Sequence, residues 1–429
     1  MSDKKIRWVS FQPLIGGCAL GAEKAFGCPP LFNIDFEGPD KGNSSAYLHY
    51  QNEVKKNNVR ELVLDGNILS MATTFKNEDD EKFFTENCHD IDVVSAVPIC
   101  SGLSAANAVN DSSKATKRGA DAQQNNNMYG IAKMTFERIK PKVFIFENAP
   151  ALFTNCGKPV RDKIMEMGTE AGYSVTWVKT NTNRHGNPQY RSRTFGIFWK
   201  GDKVPQLKYV NNPHGKIVDY LAEIDPKAEY NTADYIINNK LTTTGWYKYA
   251  KAKFGDNWRD AIAGKLGFWA PFLKEFNTTG KYDFSELKPY LNEKELKMVE
   301  HIEYKLSIKK GFMDCSTPVY KGDSDIPTVF HRHIQTLVHP TRDSGYTLRE
   351  FMKFMGMPDD FTWPNAKKTH IWVSQNVPVI TSYDWHAQIR EFLEGKLPLL
   401  DEKEVYFNNE KGPDVQEKSV LEEMLTNCK

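Results

Sequence analysis

No stretch of this chain approaches the ~20 consecutive apolar residues that a membrane helix needs. Cysteine is sparse, with seven in 429 residues, and no two stand in a C-x-x-C pair. Neither a zinc site nor a dithiol redox pair is therefore indicated. The odd number and scattered spacing fit reduced thiols in an intracellular compartment. The charged opening Met1–Arg7 lacks the apolar core of a signal segment, which supports the same expectation. Charge of one sign is also missing: 56 Lys and Arg face 55 Asp and Glu, for a formal net charge of +1. Any surface for nucleic acid must then be a local basic face, balanced by acidic surface elsewhere. No repeat of fixed period is present, which excludes solenoids and propellers.

What is there is a core-forming sequence, 40% hydrophobic. Short apolar runs alternate with helical patterns through the first half. Strands are expected at Ile6–Phe11, Leu31–Asp35, Glu61–Leu64, Asp92–Val97, Val143–Glu147, Ser174–Thr180 and Thr194–Trp199. Helical patterns between them include Ser44–Lys56, Met128–Ile139 and Val160–Ala171. This alternation predicts an α/β fold with a mostly parallel sheet covered on both faces. Ligands of such sheets bind beyond the carboxyl ends of the strands. Lys76–Lys82 reads as a solvated charge run, and Asn110–Asn127 as a long polar loop without periodicity. From Gly201 to Asp325 the alternation stops, and aromatics mix with lysines, as in "KYAKAKF" and "SIKKGF". This part reads as a second, smaller domain spanning 201–325. Residues 326–400 then return to the first domain (1–200), with a helical signal at Thr347–Met355, and 401–429 form a charged tail.

Four short motifs carry chemistry. After the first strand, Ile15-Gly16-Gly17-Cys18 places glycines where a backbone can approach a nucleotide-like ligand. Asp35, ending the second strand, can accept from ribose hydroxyls, and Glu37 competes with it for that role. Pro98-Ile99-Cys100-Ser101-Gly102-Leu103-Ser104 follows the fourth strand and sets a cysteine on an exposed small-residue turn. Glu147-Asn148-Ala149-Pro150 ends the next strand, where partial desolvation would raise a carboxyl pKa toward neutrality. In Gln189-Tyr190-Arg191-Ser192-Arg193, alternate positions share a face, so Gln189, Arg191 and Arg193 form one polar row suited to phosphate or a base edge.

The order and spacing of these motifs resemble the DNA cytosine carbon-5 methyltransferase family. Tyr346–Phe351, Met357–Phe361 and Ser374-Gln375-Asn376-Val377-Pro378 match its closing segments, so the resemblance covers about 6–200 and 335–395. It implies a Rossmann-like, S-adenosylmethionine-dependent domain joined to a target-recognition domain. By the resemblance, Cys100 attacks carbon 6 of a flipped-out cytosine and Glu147 bonds ring N3 and the exocyclic amine. Arg193 holds the carbonyl O2, supported by Arg191. The donor is expected at Phe11, Gly16, Gly17, Asp35, Asn67, Ile68, Pro98, Asn376 and Val377. Double-stranded DNA is the expected partner, met by Ser104, Lys114, Lys117, Arg118 and Gln189, with the Asn110–Asn127 loop closing over it. A monomer is expected. The chain departs from the family pattern at Gln12, Leu14, Asn67, Ile99, Ser101, Ser374 and Gln375.

Two alternatives share the scaffold. One is a tRNA-type cytosine methyltransferase, but no Cys-Phe-Thr signature occurs here. The other is an inactive relative that only binds DNA, against which the joint presence of Cys100, Glu147, Arg191 and Arg193 speaks. The residues carry no readable base code and name no cognate restriction enzyme.

Overall fold

The structure, a computed structural model, describes residues 5–103, 119–264, 267–308, 319–329 and 331–410. Its strands are β1 Trp8–Phe11, β2 Phe32–Asp35, β3 Arg60–Val63, β4 Val93–Ala96, β5 Val143–Asn148 and β6 Tyr173–Asn181, followed by β7 Gln189–Tyr190, β8 Ser192–Lys200, β9 Val204–Pro205, β10 Ile326–Pro327, β11 Leu399–Leu400 and β12 Glu404–Asn408. Eight of them form one sheet in the order β12-β6-β8-β5-β4-β1-β2-β3. All neighbours in it are parallel except β8, which runs against both β5 and β6. The seven strands expected from sequence correspond to β1–β6 and β8.

Alternation along each strand divides the core into two layers. Trp8, Val93, Val143 and Ile145 face one apolar cluster; Val9, Val94, Phe144 and Phe146 face the other. Because both faces are covered, β5 reads as an unbroken buried run, VFIFEN. Helices α1 Gly17–Phe26, α2 Ser44–His49, α3 Glu78–Asn87, α4 Asn125–Lys133 and α5 Lys158–Glu170 pack on these faces. The order reverses at β1, flanked by β2 on one side and β4 on the other. Such a reversal opens a crevice at the carboxyl ends of the strands.

Three sequence expectations are corrected. Within Lys76–Lys82, Asn77 caps α3: its side chain accepts from the Asp80 amide at 2.7 Å, and four acidic residues fill the first turn, complementing the helix dipole. Inside the supposed charged tail, β12 pairs in parallel with β6 from Glu404↔Val175 to Asn408↔Lys179 and closes that edge of the sheet. After Gly201, Val204, Leu207, Ile217 and Tyr230 still belong to a main core layer. Separate packing begins near Leu241, in two small clusters built around Trp269 and Trp258.

Two backbone features position the crevice. Gly16 adopts φ 104°, a left-handed conformation that caps α1. Gly17 donates its amide to Asn376 Oδ1 at 2.7 Å, and a Cβ there would lie 1.9 Å from the Val377 carbonyl oxygen. Gly17→Ala is therefore expected to lose about 1–3 kcal/mol of stability by overpacking. Gly38→Ala, whose Cβ meets nothing within 4 Å, should stay near wild type in the same urea titration.

The β2–β3 edge buries acid as well as apolar residues. Glu61 accepts from Asn33 Nδ2 at 2.6 Å, while Glu61 Oε1 and Asn33 Oδ1 are buried without hydrogen-bond partners among the described residues. Burial, and then the nearby Asp35 charge, push the Glu61 carboxyl up to about 9. A carboxyl raised on folding takes up a proton, so its contribution is fullest below the usual 4.5 and declines as pH rises toward about 9. Glu61→Gln should flatten that decline. Thermal midpoints measured from pH 6 to 9 should fall less in the variant than in the parent.

Candidate active site

Four loops meet at the carboxyl edge of the sheet. β4 delivers Pro98-Ile99-Cys100; the Ile99 amide donates to Asn127 Oδ1 at 2.8 Å, and Leu103 N donates to the Cys100 carbonyl at 3.0 Å. Asn148 Nδ2 donates to the Pro98 carbonyl at 3.4 Å, tying the end of β5 to the cysteine turn. The Cys100 thiol reaches solvent but has protein on most sides. Desolvation raises its pKa, the Glu147 charge raises it further, and Arg193 and Arg191 oppose both.

Glu147 is buried at the end of β5. Because β8 runs backwards beside it, with Glu147↔Phe195 and Asn148↔Thr194 in register, Arg193 arrives from the opposite direction. Its Nε lies 2.6 Å from Glu147 Oε1. Desolvation raises the Glu147 carboxyl above its usual range, with Arg193 and then Arg191 pulling it back. Thr194 Oγ1 locks the strand ends by donating to the Asn148 and Ala149 carbonyls at 3.0 and 3.1 Å. The site thus brings together Cys100, Glu147 and Arg193: a thiol, a buried carboxyl whose pKa burial raises, and a cation held against it.

Arg191 departs from expectation. It is fully buried, and its guanidinium donates to the carbonyls of Val329, Ser374 and Asn376 at 2.7, 3.0 and 2.9 Å. These bonds make it a positioning residue that acts through the backbone. Gln189 departs further. It is wholly buried in β7, donating to the Phe354 carbonyl at 2.8 Å and accepting from the Val329 amide at 3.2 Å, so it has no path to DNA. The polar row read from alternation is broken because β7 pairs with β10 rather than facing solvent. Ser104, Lys114, Lys117 and Arg118, and residues 110–118 of the polar loop, lie outside the described residues. The rest of that loop is partly helical: α4 begins at Asn125, whose Nδ2 donates to the Gly119 and Ala120 carbonyls.

The residues expected to hold the donor fall into lining, backing and clamping groups. Gly16, Gly17 and Asp35 sit at the carboxyl ends of β1 and β2. Burial raises the Asp35 carboxyl to about 6, against a 2.7 Å bond from the Phe36 amide. Asn67 is exposed, with its Oδ1 accepting from Leu69 N at 2.9 Å, and Ile68 packs against the core beside it. Phe11 is fully buried in the core, so it backs the crevice and leaves no face to stack on a ligand. Pro98 is buried in the cysteine turn. Asn376 and Val377 clamp the glycine turn from behind, with Asn376 Nδ2 directed at Met357 Sδ. Gln12, next to the turn at φ 50°, has a buried Oε1 without a partner among the described residues. The space beside Gly16 and Gly17 is taken by Tyr47, Asn376 and Val377, while the orphaned Gln12 acceptor and the strand-end Asp35 carboxyl fit the amine and ribose hydroxyls of S-adenosylmethionine.

Sequence reasoning missed Asn127 and assigned no role to Asn148 within its Glu147-Asn148-Ala149-Pro150 motif; these two amides buttress the Cys100 turn. Asn127 lies in a polar run, QQNNN, where nothing marks which amide turns inward. The "KYAKAKF" run also reads differently in place. Tyr249 and Ala250 go into the small clusters, Lys251 pairs with Asp256 at 2.9 Å, and Lys253 pairs with Glu286.

Among curated proteins none matches. Among solved structures, an E. coli prophage-encoded protein described as a DNA modification methyltransferase superposes with a TM-score of 0.54 at 16% identity, covering 91% of this chain and 99% of that one. The Entamoeba histolytica methyltransferase EhMeth and the S. pombe Dnmt2 methyltransferase each give 0.49 at 13% identity, covering 91% of this chain and 99% of theirs. At these identities the first likeness is one of fold. The model of the C-5 cytosine-specific DNA methylases matches residues 51–381, well over half of the chain. The chain belongs to that family and is an S-adenosylmethionine-dependent methyltransferase.

Proposed function

We propose that the protein methylates carbon 5 of a cytosine flipped out of duplex DNA, through a transient covalent bond to Cys100. The observation that carries the reading is the meeting of an accessible cysteine with the buried Glu147–Arg193 pair on the sheet edge that also bears the glycine turn. DNA is the substrate named in the description of the family, the C-5 cytosine-specific DNA methylases, and the chain lacks the Cys-Phe-Thr signature of the tRNA-type enzymes. The base must leave the stack, because carbon 6 is unreachable inside a duplex.

In this mechanism the Cys100 thiolate adds its electron pair to carbon 6. Glu147 takes up a proton, which burial favours, and gives it to ring N3, so the displaced pair becomes an enamine nucleophilic at carbon 5. Arg193 holds O2 and, by pairing with Glu147, accommodates the carboxylate once the proton has left. S-adenosylmethionine, when bound, supplies the electrophilic methyl group. The N3 proton returns to Glu147, and loss of the carbon 5 proton to water then expels the Cys100 sulfur as thiolate and restores the ring. The region from about Leu241, with its two small clusters, would read the duplex, and phosphate contacts there would make affinity fall with salt.

Cys100→Ser should abolish turnover while duplex binding persists, because an alcohol is a far weaker nucleophile at neutral pH. A duplex containing 5-fluorocytosine should be trapped as an adduct at Cys100, identified by peptide mass spectrometry. Trapping at Cys156, or methylation of tRNA in place of duplex DNA, would overturn the reading.

Glu147→Gln should cut turnover by about 10²–10⁴-fold, the usual span of a lost general acid. It should also remove a charge that holds the Cys100 thiol up. Alkylation of Cys100 followed against pH should shift to lower pH in Glu147→Gln and to higher pH in Arg193→Gln, whose cation lowers the thiol pKa.

A further inference from the structure

One cavity on the carboxyl edge has no part in the chemistry above. Its volume is about 410 Å³, within the range of small-ligand pockets. It lies beside the end of β6 and the start of β8, where Asn181 pairs with Ser192, the residue before Arg193. Its walls are rich in amides: Asn183, Asn211 and Asn212, with Arg184, His214 and Tyr190 around them.

The hydrogen bonds leave particular groups to offer. Arg184 spends one N–H on Asn211 Oδ1 at 3.0 Å and one on the Glu410 carbonyl at 3.0 Å, out of the five that a guanidinium carries. Asn211, accepting through Oδ1, retains its amide donors. Asn212 donates to Asp384 Oδ2 at 3.4 Å, which leaves its own carbonyl as an acceptor. Asn183 Nδ2 donates to Asp325 at 3.1 Å, and its Oδ1 is buried without a partner among the described residues. Tyr190 is 57% exposed, because alternation along the strand turns it outward while Gln189 and Arg191 are buried. Side-by-side amide donors and acceptors complement the edge of a nucleobase, and an exposed ring offers a stacking face.

The distance to the reacting centre is short. Tyr190 is three residues from Arg193 along an extended chain, about 10 Å. Nucleotides are spaced about 3.4 Å apart on a stacked strand and more widely when unstacked, so that reach is at most some three positions. The geometry points to a second nucleotide site: the pocket takes one unstacked nucleotide of the substrate DNA, a few positions from the target cytosine. Its base stacks on Tyr190 and bonds the amides, and its phosphate meets Arg184. This inference rests on the reading of the Cys100 site as a DNA site.

Bisulfite sequencing of DNA from cells expressing the full chain identifies the methylated site. Duplexes bearing that site are then made with one abasic position at a time near the target. Wild type should show one flanking position where loss of the base raises the KM for DNA about tenfold with kcat little changed. Tyr190→Ala should raise KM similarly on the intact duplex, and the two losses should not multiply when combined. Tyr190→Phe, which keeps the ring, should remain near wild type. Because Tyr190 is exposed, loss of its ring leaves the core intact, and thermal midpoints check this. If no position is sensitive, or if the losses multiply at every position, the pocket holds no nucleotide, while methylation of the intact duplex and the Cys100 adduct still stand. If no duplex is methylated at all, the reading of the Cys100 site fails and this inference with it.

Discussion

A carboxylate and a guanidinium lie 2.6 Å apart below the surface of the reactive edge, and the arrangement of that edge follows from keeping them there. Burying either charge alone is unfavourable, and removing one partner of such a pair leaves an uncompensated charge worth about 3–5 kcal/mol. The pair can exist because one strand runs backwards. Were β8 parallel to β5, its arginine would emerge at the opposite edge, far from Glu147. The reversed strand also carries Thr194, whose hydroxyl fixes the two strand ends, so the acid and the cation share one rigid frame.

Arg191 extends this frame to the rest of the molecule. It sits two residues from Arg193 and grips three carbonyls, one after β10 and two around Asn376. Asn376 in turn accepts from Gly17. A continuous path of side-chain-to-backbone hydrogen bonds therefore joins the start of β8 to the glycine turn. Below that turn His386 bonds both Ser95 of β4 and Ser382, and burial lowers its pKa to about 4, so it remains a neutral connector.

Much of this was legible in sequence because strands buried on both faces are short, apolar and bounded by turn residues, and because Cys100, Glu147 and Arg193 each follow or begin such a run. What escaped had a physical cause in each case. β12 has only five residues amid charge, and its pairing with β6 is a long-range fact. The helix Val379–Leu393 buries Thr381, Ser382, His386 and Gln388 along with its apolar residues, which blurs the amphipathic period. Alternation placed Gln189 beside Arg193, but the break between β7 and β8 separates their environments. The lysines after Trp246 suggested a basic surface, whereas local acids neutralise two of them. Lone amides such as Asn127 give no sign in sequence of whether they face water or a neighbouring backbone.

The clamp between Gly17 and Asn376 also has a temporal meaning. Its partners are 359 residues apart, and contacts of such separation form late in folding. While the chain is being synthesised, the first strands can pair and bury apolar surface, but the glycine turn lacks the residues that shape it until Asn376 and Val377 have left the ribosome. A nascent or prematurely terminated chain would thus carry the reactive cysteine without a finished donor cradle.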